Sequence, residues 1–127
     1  MKINHIAMYV KDLEQTKAFY ETYFGAKSNA QYHNPKTGLK TYFLSFGSDC
    51  RLEIMTKPNM AEGENAKEHL GYTHLAFEVG GEAAVDNLTD RLRQDGYTIY
   101  SEPRTTGDGY YESCVSDPDG NRIEIVG

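Results

Sequence analysis

The chain has no tryptophan, only two cysteines and only four prolines. Cys50 and Cys114 have no CxxC spacing. That excludes a disulfide-stapled scaffold and a thiolate zinc module, and it predicts reduced thiols in a cytoplasmic protein. No apolar run approaches the ~18 residues of a membrane span, so no membrane partner is expected. Cations are also short: 13 Lys and Arg against 19 Asp and Glu, a net charge of −6. General nucleic-acid binding is excluded on that balance. The first residues read directly as a strand, so no signal peptide is expected. What is present is 39% apolar and 25% charged residues over 127 positions. This suits one globular domain, residues 1–127, large enough for its own core.

The chain repeats itself. His5-Ile6-Ala7-Met8-Tyr9-Val10 returns as His74-Leu75-Ala76-Phe77-Glu78-Val79, 69 positions on. Arg51-Leu52-Glu53-Ile54 returns as Arg122-Ile123-Glu124-Ile125, 71 positions on. Thr37-Gly38 and Tyr42 return as Thr106-Gly107 and Tyr111. Three matches at nearly one offset indicate a duplicated unit of about half the chain. Module 1 is expected at about 1–57, a polar connector at about 58–71 and module 2 at about 72–127.

Each module reads βαβββ. Lys2–Val10 alternates with a period of two, as a half-buried strand does. Asp12 is an N-cap with Gln15 three positions on. Leu13, Thr16, Tyr20 and Tyr23 form a helical stripe, and Gly25 ends it. Strand-rich segments follow around Ala30–Tyr32, Thr41–Phe46 and Arg51–Met55, with a turn at Asn34–Gly38. The connector allows a helical turn around Ala66–His69, and His69 is expected to be solvated. Module 2 runs through a strand at Tyr72–Val79 and a helix at Glu82–Asp95, striped by Val85, Leu88 and Leu92. Strands at Tyr97–Ser101 and Tyr110–Ser116 follow. The loop Pro103–Gly109 between them has the composition of a mobile flap. The turn Asp117-Pro118-Asp119-Gly120-Asn121 leads into a last strand, Arg122–Val126. The expected fold is α+β.

Alternation then decides direction. Neighbouring strand residues face opposite sides. His5, Glu53, His74 and Glu124 each lie opposite the aliphatic residues that flank them. The aliphatic faces can be covered by the two helices, which leaves two imidazoles and two carboxylates on the other face. One such residue alone would read as the wet side of a sheet. One His and one Glu per repeat, at equivalent places, reads as a metal-ligand set.

These residues, with the helix ending Phe24-Gly25 and the terminal run Asp117–Glu124, carry a resemblance to the vicinal oxygen chelate superfamily in its glyoxalase I-like branch. The resemblance implies two tandem βαβββ modules in a cupped mixed β-sheet. It implies one divalent metal, Ni²⁺, Zn²⁺, Co²⁺ or Mn²⁺, held by His5, Glu53, His74 and Glu124. It also implies a homodimer and a small-molecule substrate. Two nitrogen and two oxygen donors leave room for two further ligands in an octahedral shell. A substrate with two adjacent oxygens could take them while a carboxylate moves a proton. The activity implied is that of a lactoylglutathione lyase-like enzyme, with Glu124 and Glu53 as the catalytic carboxylates and Glu124 as the base. Arg122 is expected on the same face, where it would hold Glu124 ionised.

Two positions depart from the glutathione-using members. Tyr9 stands where they carry Arg, and Lys57 where they carry Asn, so another thiol or a thiol-free substrate is admitted. Tyr9, Met55, Lys57, Tyr111 and Arg122 are the expected substrate contacts, with Tyr42 and Tyr110 near the mouth. Two other readings of the same fold compete: an antibiotic-binding or antibiotic-modifying resistance module, and an Fe²⁺-dependent dioxygenase. The fourth ligand favours the lyase.

Overall fold

The computed structural model describes residues 1–63 and 70–127. The expected turn at Ala66–His69, and the reading of His69, lie outside the described residues. The chain divides into two compact units, Met1–Gly63 and Glu64–Gly127. Both follow the βαβββ plan, the first with its second strand split in two, so the fold is α+β with two mixed sheets and two helices.

In the first unit, β1 (His5–Tyr9) leads into α1 (Leu13–Phe24). The Asp12 carboxylate caps α1 by accepting from the Gln15 amide at 2.9 Å. Gly25 closes the helix in the left-handed region at φ 65°, which a side chain would strain. Leu13, Thr16, Phe19 and Tyr20 are the buried face. Phe19 takes the place expected for Tyr23, which is only half-buried. The expected strand around Ala30–Tyr32 is instead two short strands, β2 (Lys27–Ser28) and β3 (Tyr32–His33), both paired with β4 (Lys40–Ser45). Asn29 separates them because its side chain accepts the Phe43 amide at 2.8 Å, a bond the ladder would otherwise make. The sheet runs β1-β5-β4-β2, with β5 (Arg51–Thr56) parallel to β1 and antiparallel to β4. Tyr42, Leu44, Leu52 and Ile54 form its buried side.

The second unit repeats this order: β6 (His74–Glu78), α2 (Glu82–Gln94), β7 (Ile99–Thr105), β8 (Tyr111–Ser116) and β9 (Arg122–Val126). The sheet runs β6-β9-β8-β7, with β6 and β9 parallel. Val85, Thr89 and Leu92 are the buried residues of α2, with Thr89 where Leu88 was expected. Thr89 is tolerated there because its hydroxyl is satisfied twice, by the Val85 carbonyl at 2.7 Å and by Ser113 at 2.7 Å. Val115, Ile123 and Ile125 complete this core.

The segment expected as a flap is ordered. Strand β7 extends to Thr105, with Pro103 on a sheet edge where its missing N–H costs nothing. The Thr106 amide donates to the Tyr110 carbonyl at 2.8 Å, and the Gly109 amide to the Thr106 carbonyl at 3.0 Å. The Gly-rich composition builds a tight hairpin turn here, and no loose loop. Among the described residues, no helix is long and apolar enough to cross a membrane.

Candidate metal and substrate site

In the first unit the parallel pairing of β1 and β5 sets Ala7 opposite Glu53, His5 opposite Arg51 and Tyr9 opposite Met55. All six lie on the face away from α1. Ala7 is the reason the two ligand types can meet. Its methyl leaves the space through which the Glu53 carboxylate approaches the imidazole, and His5 Nε2 stands 3.8 Å from Glu53 Oε2. The other ring nitrogen is held: His5 Nδ1 lies 2.8 Å from Asn4 Oδ1, which also accepts from the Arg51 guanidinium at 2.7 Å. An Asn oxygen already bonded to a cation is an acceptor, so it selects the Nδ1–H tautomer and leaves Nε2 with its lone pair. The Phe43 ring meets the His5 ring edge-on at 5.3 Å. Sequence reading missed both Asn4 and Phe43. The Phe43↔Glu53 register was the signal for the second, but a register is not visible before strands are paired.

The second unit builds the same half-site. Ala76 pairs with Glu124 across β6 and β9, and His74 with Arg122. His74 Nε2 lies 3.0 Å from Glu124 Oε2. Both carboxylates are better shielded than their histidines: Glu53 and Glu124 side chains are 17% and 21% exposed, against 39% and 36% for His5 and His74. A cavity of about 630 Å³ opens over this pair, lined also by Glu78, Asp108, Tyr110 and Glu112. Tyr110 thus stands where a mouth residue was expected.

Burial pushes the proton affinity of Glu124 up, His74 opposes this, Glu112 adds to it, Arg104 opposes and Asp108 adds. This reverses the expectation that Arg122 holds Glu124 ionised. The Arg122 guanidinium lies over the Tyr100 ring at 4.5 Å and hydrogen-bonds Cys114, whose thiol is nevertheless pushed up by burial. The Tyr100 hydroxyl in turn donates to the Gly120 carbonyl at 3.0 Å, which ties the final turn to β7.

Tyr42 and Tyr111 are not mouth residues. Each lies on the helix side of its sheet. The Tyr42 hydroxyl donates to Glu14 on α1 at 2.7 Å, and the Tyr111 hydroxyl to Asp86 on α2 at 2.7 Å. Both tyrosines are therefore strand-to-helix ties, and Tyr111 is withdrawn from the substrate set. Tyr9 and Met55 do share the His5 face, with the Lys57 ammonium over the Tyr9 ring at 5.2 Å. Among the described residues, no group of three or more His, Cys, Asp or Glu is gathered as a ligand set. Each unit holds one His–Glu pair.

Comparison with known proteins agrees with this arrangement of elements. The family model described as Glyoxalase/Bleomycin resistance protein/Dioxygenase superfamily matches residues 2–125. The glutathione transferase FosA of Serratia marcescens is 28% identical, over 97% of this chain and 78% of its own. The lactoylglutathione lyase of Salmonella typhimurium is 26% identical, over 99% and 92%. The trypanothione-dependent glyoxalase I of Leishmania major superposes with a TM-score of 0.79 at 25% identity, covering 100% of this chain and 86% of that one. With a repeated βαβββ order, a repeated His–Glu pair and a family match over nearly its whole length, the chain belongs to the glyoxalase, bleomycin resistance protein and dioxygenase superfamily.

Proposed function

We propose that the chain is a metal-dependent lyase or isomerase of the glyoxalase I type. Its substrate is a small dicarbonyl–thiol adduct or a related molecule with two adjacent oxygens. The observation that carries this reading is the half-site built twice: an imidazole Nε2 facing a carboxylate Oε2 beside an alanine, at 3.8 Å in one repeat and 3.0 Å in the other. The proposed ligands of one divalent cation are His5, Glu53, His74 and Glu124. The donors suit it: with metal–donor bonds of ~2.1 Å, neighbouring nitrogen and oxygen ligands stand ~3 Å apart. Two carboxylates neutralise its charge, and the Asn4 contact readies His5 Nε2 for it. Nickel, zinc, cobalt and manganese all accept such a set.

When bound, the cation stabilises negative charge that develops on two adjacent substrate oxygens. The chain's own residues do the rest. Glu124 takes the proton from the carbon that bears hydroxyl and sulfur. The electron pair left behind moves into the bond to the neighbouring carbonyl carbon, and the carbonyl pair moves onto its oxygen, which takes up the hydroxyl proton. Glu124 then returns the proton to that neighbour while the oxygen that lost its proton forms the thioester carbonyl, which gives a 2-hydroxyacyl thioester with no net gain or loss of atoms. Tyr9 and Met55, on the His5 face, would contact the remainder of the substrate.

The test is reconstitution of the metal-stripped protein, followed by NMR in D₂O of hemithioacetals made from methylglyoxal and a panel of thiols. Proton exchange at the substrate carbon and thioester formation are expected. Their absence with every thiol at full metal occupancy overturns the reading. A thiol-transfer alternative, motivated by the 28% identity to FosA, needs an added electrophile such as an epoxide, whose C–O bond opens as the C–S bond forms, and predicts a thioether from that mixture instead.

A further inference from the structure

We propose that Arg51, acting through Asn4, is a positioning residue that makes the two half-sites unequal. It keeps the proton of His5 on Nδ1, so Nε2 is a ready ligand, whereas His74 carries its proton on Nε2 and must move it before it can hold a cation. This rests on the metal reading of the site and names what prepares one half of it.

An Asn side chain has an accepting end and a donating end, so by itself it serves either tautomer of a neighbouring imidazole. Arg51 removes the choice. A guanidinium has donors only, and this one donates to Asn4 Oδ1 at 2.7 Å. Turning the amide over would set its NH₂ against the guanidinium. The oxygen therefore stays where it is, 2.8 Å from His5 Nδ1, with one lone pair for each donor. Arg51 is itself held in place. Its guanidinium lies over the Phe43 ring at 4.6 Å, and its backbone amide donates to the Asn4 carbonyl at 3.2 Å. The same Phe43 ring meets His5 edge-on.

The second repeat is a control built into the chain. Thr73 stands at the place of Asn4, 69 positions on, and Cys114 takes the ladder place of Phe43 opposite the glutamate. Arg122, the counterpart of Arg51, lies over Tyr100 on β7. Among the described residues, the polar contact of the His74 ring is Nε2 to Glu124 Oε2 at 3.0 Å. That is a hydrogen-bond distance, and the bond needs a proton on Nε2, because a carboxylate only accepts. His5 Nε2 and Glu53 Oε2 stand 3.8 Å apart, beyond a hydrogen bond, as two facing lone pairs do. The separations thus agree with opposite tautomers in the two repeats. To take up a cation, His74 gives its Nε2 proton to water and receives one from water at Nδ1, with no net change in protons. His5 needs no such exchange.

The experiment is long-range ¹⁵N NMR of the imidazole nitrogens in the metal-free full chain, then a titration with Zn²⁺. Mildly alkaline pH keeps imidazoles neutral and carboxylates ionised. The metal-free chain should show Nδ1–H on His5 and Nε2–H on His74, and zinc should convert His74 to Nδ1–H while His5 keeps its tautomer. Arg51→Met retains a stem against Phe43 but lets the Asn4 amide turn. His5 should then lose its Nδ1–H preference, and zinc affinity should fall ~10-fold. Adding Asn4→Asp to that variant supplies a side chain that accepts from either end, so it should restore both the tautomer and the affinity. A merely structural role for Arg51 would leave the tautomer alone and would not be rescued in this way. Nε2–H on His5 or Nδ1–H on His74 in the metal-free chain overturns this proposal and leaves the metal reading standing. So does Nδ1–H kept in Arg51→Met, or not regained in the double variant. Zinc that leaves the nitrogen shifts of both rings unmoved overturns the metal reading and this proposal with it.

Discussion

At the scale of single residues, the two glutamates have unequal surroundings although the repeat makes them equivalent. Glu124 has its proton affinity raised, chiefly by burial. Glu53 lies beside a histidine already fixed by Asn4 and Arg51. Glu124→Gln is expected to slow substrate-carbon exchange by ~10²–10⁴ while most of the metal stays bound. Glu53→Gln should cost more metal and less exchange; isotope exchange and metal analysis on the two variants check this, and the opposite pattern reverses the roles. Asn4→Ala frees the tautomer and rotation of His5, so metal affinity should fall ~10-fold with little change in melting of the metal-free protein. Tyr111→Phe removes only a bond to Asp86 on α2, so kcat/KM should stay as it is. The shared face of His5 and Glu53, and of His74 and Glu124, was legible in the sequence because alternation shows the face of a residue. Asn4 was not, because it precedes the strand, where alternation says nothing. Tyr42 and Tyr111 were expected near the substrate, whereas each ties its strand to a helix.

At the scale of elements, caps and turns fix where each ligand stands. Asp12 starts α1 one turn after β1 ends, and Asp12→Ala should cost about 1 kcal/mol in denaturant unfolding. The last turn depends on Asp117, which is 2% exposed and accepts from the Asp119 and Asn121 amides at 2.9 Å each and from the Asn121 side chain at 2.8 Å. Burial outweighs these bonds and pushes its carboxyl above the ordinary 3.8. The folded state therefore binds the proton more tightly than the unfolded chain does. The stability this adds is fully present below the ordinary carboxylate value and is lost as pH rises through the raised one. Asp117→Asn has no such proton, so the stability difference, wild type minus variant, should fall as pH rises through that acid window. Urea melts at stepped pH measure it; a flat difference would count against the account. Helix α1, helix α2 and the terminal strand were readable from caps, stripes and the Asp-Pro-Asp-Gly turn. The split of β2 from β3 was not, because it depends on an Asn side chain taking a ladder bond from a strand distant in sequence.

At the scale of the whole molecule, a cation that binds only the folded chain adds stability by mass action. At a hundredfold excess over its Kd this is about 2.7 kcal/mol, or ~10 °C in Tm for a chain of this size. Chelation should remove that increment and nickel, cobalt, manganese or zinc should restore it; a midpoint indifferent to all of them removes the metal from the proposal. A homodimer is expected by light scattering on the same preparations.

One further consequence follows from the alanine that faces each glutamate. In a parallel ladder, a slip of one residue sends every side chain of the strand to the other side. Slide β5 by one position against β1 and Glu53 no longer meets His5; slide β9 against β6 and Glu124 leaves His74. On the proposed ligand set, a cation would act as a gauge of assembly. Only a chain that has paired its strands in the right frame in both halves would present all four proposed donors, so metal content would report correct folding.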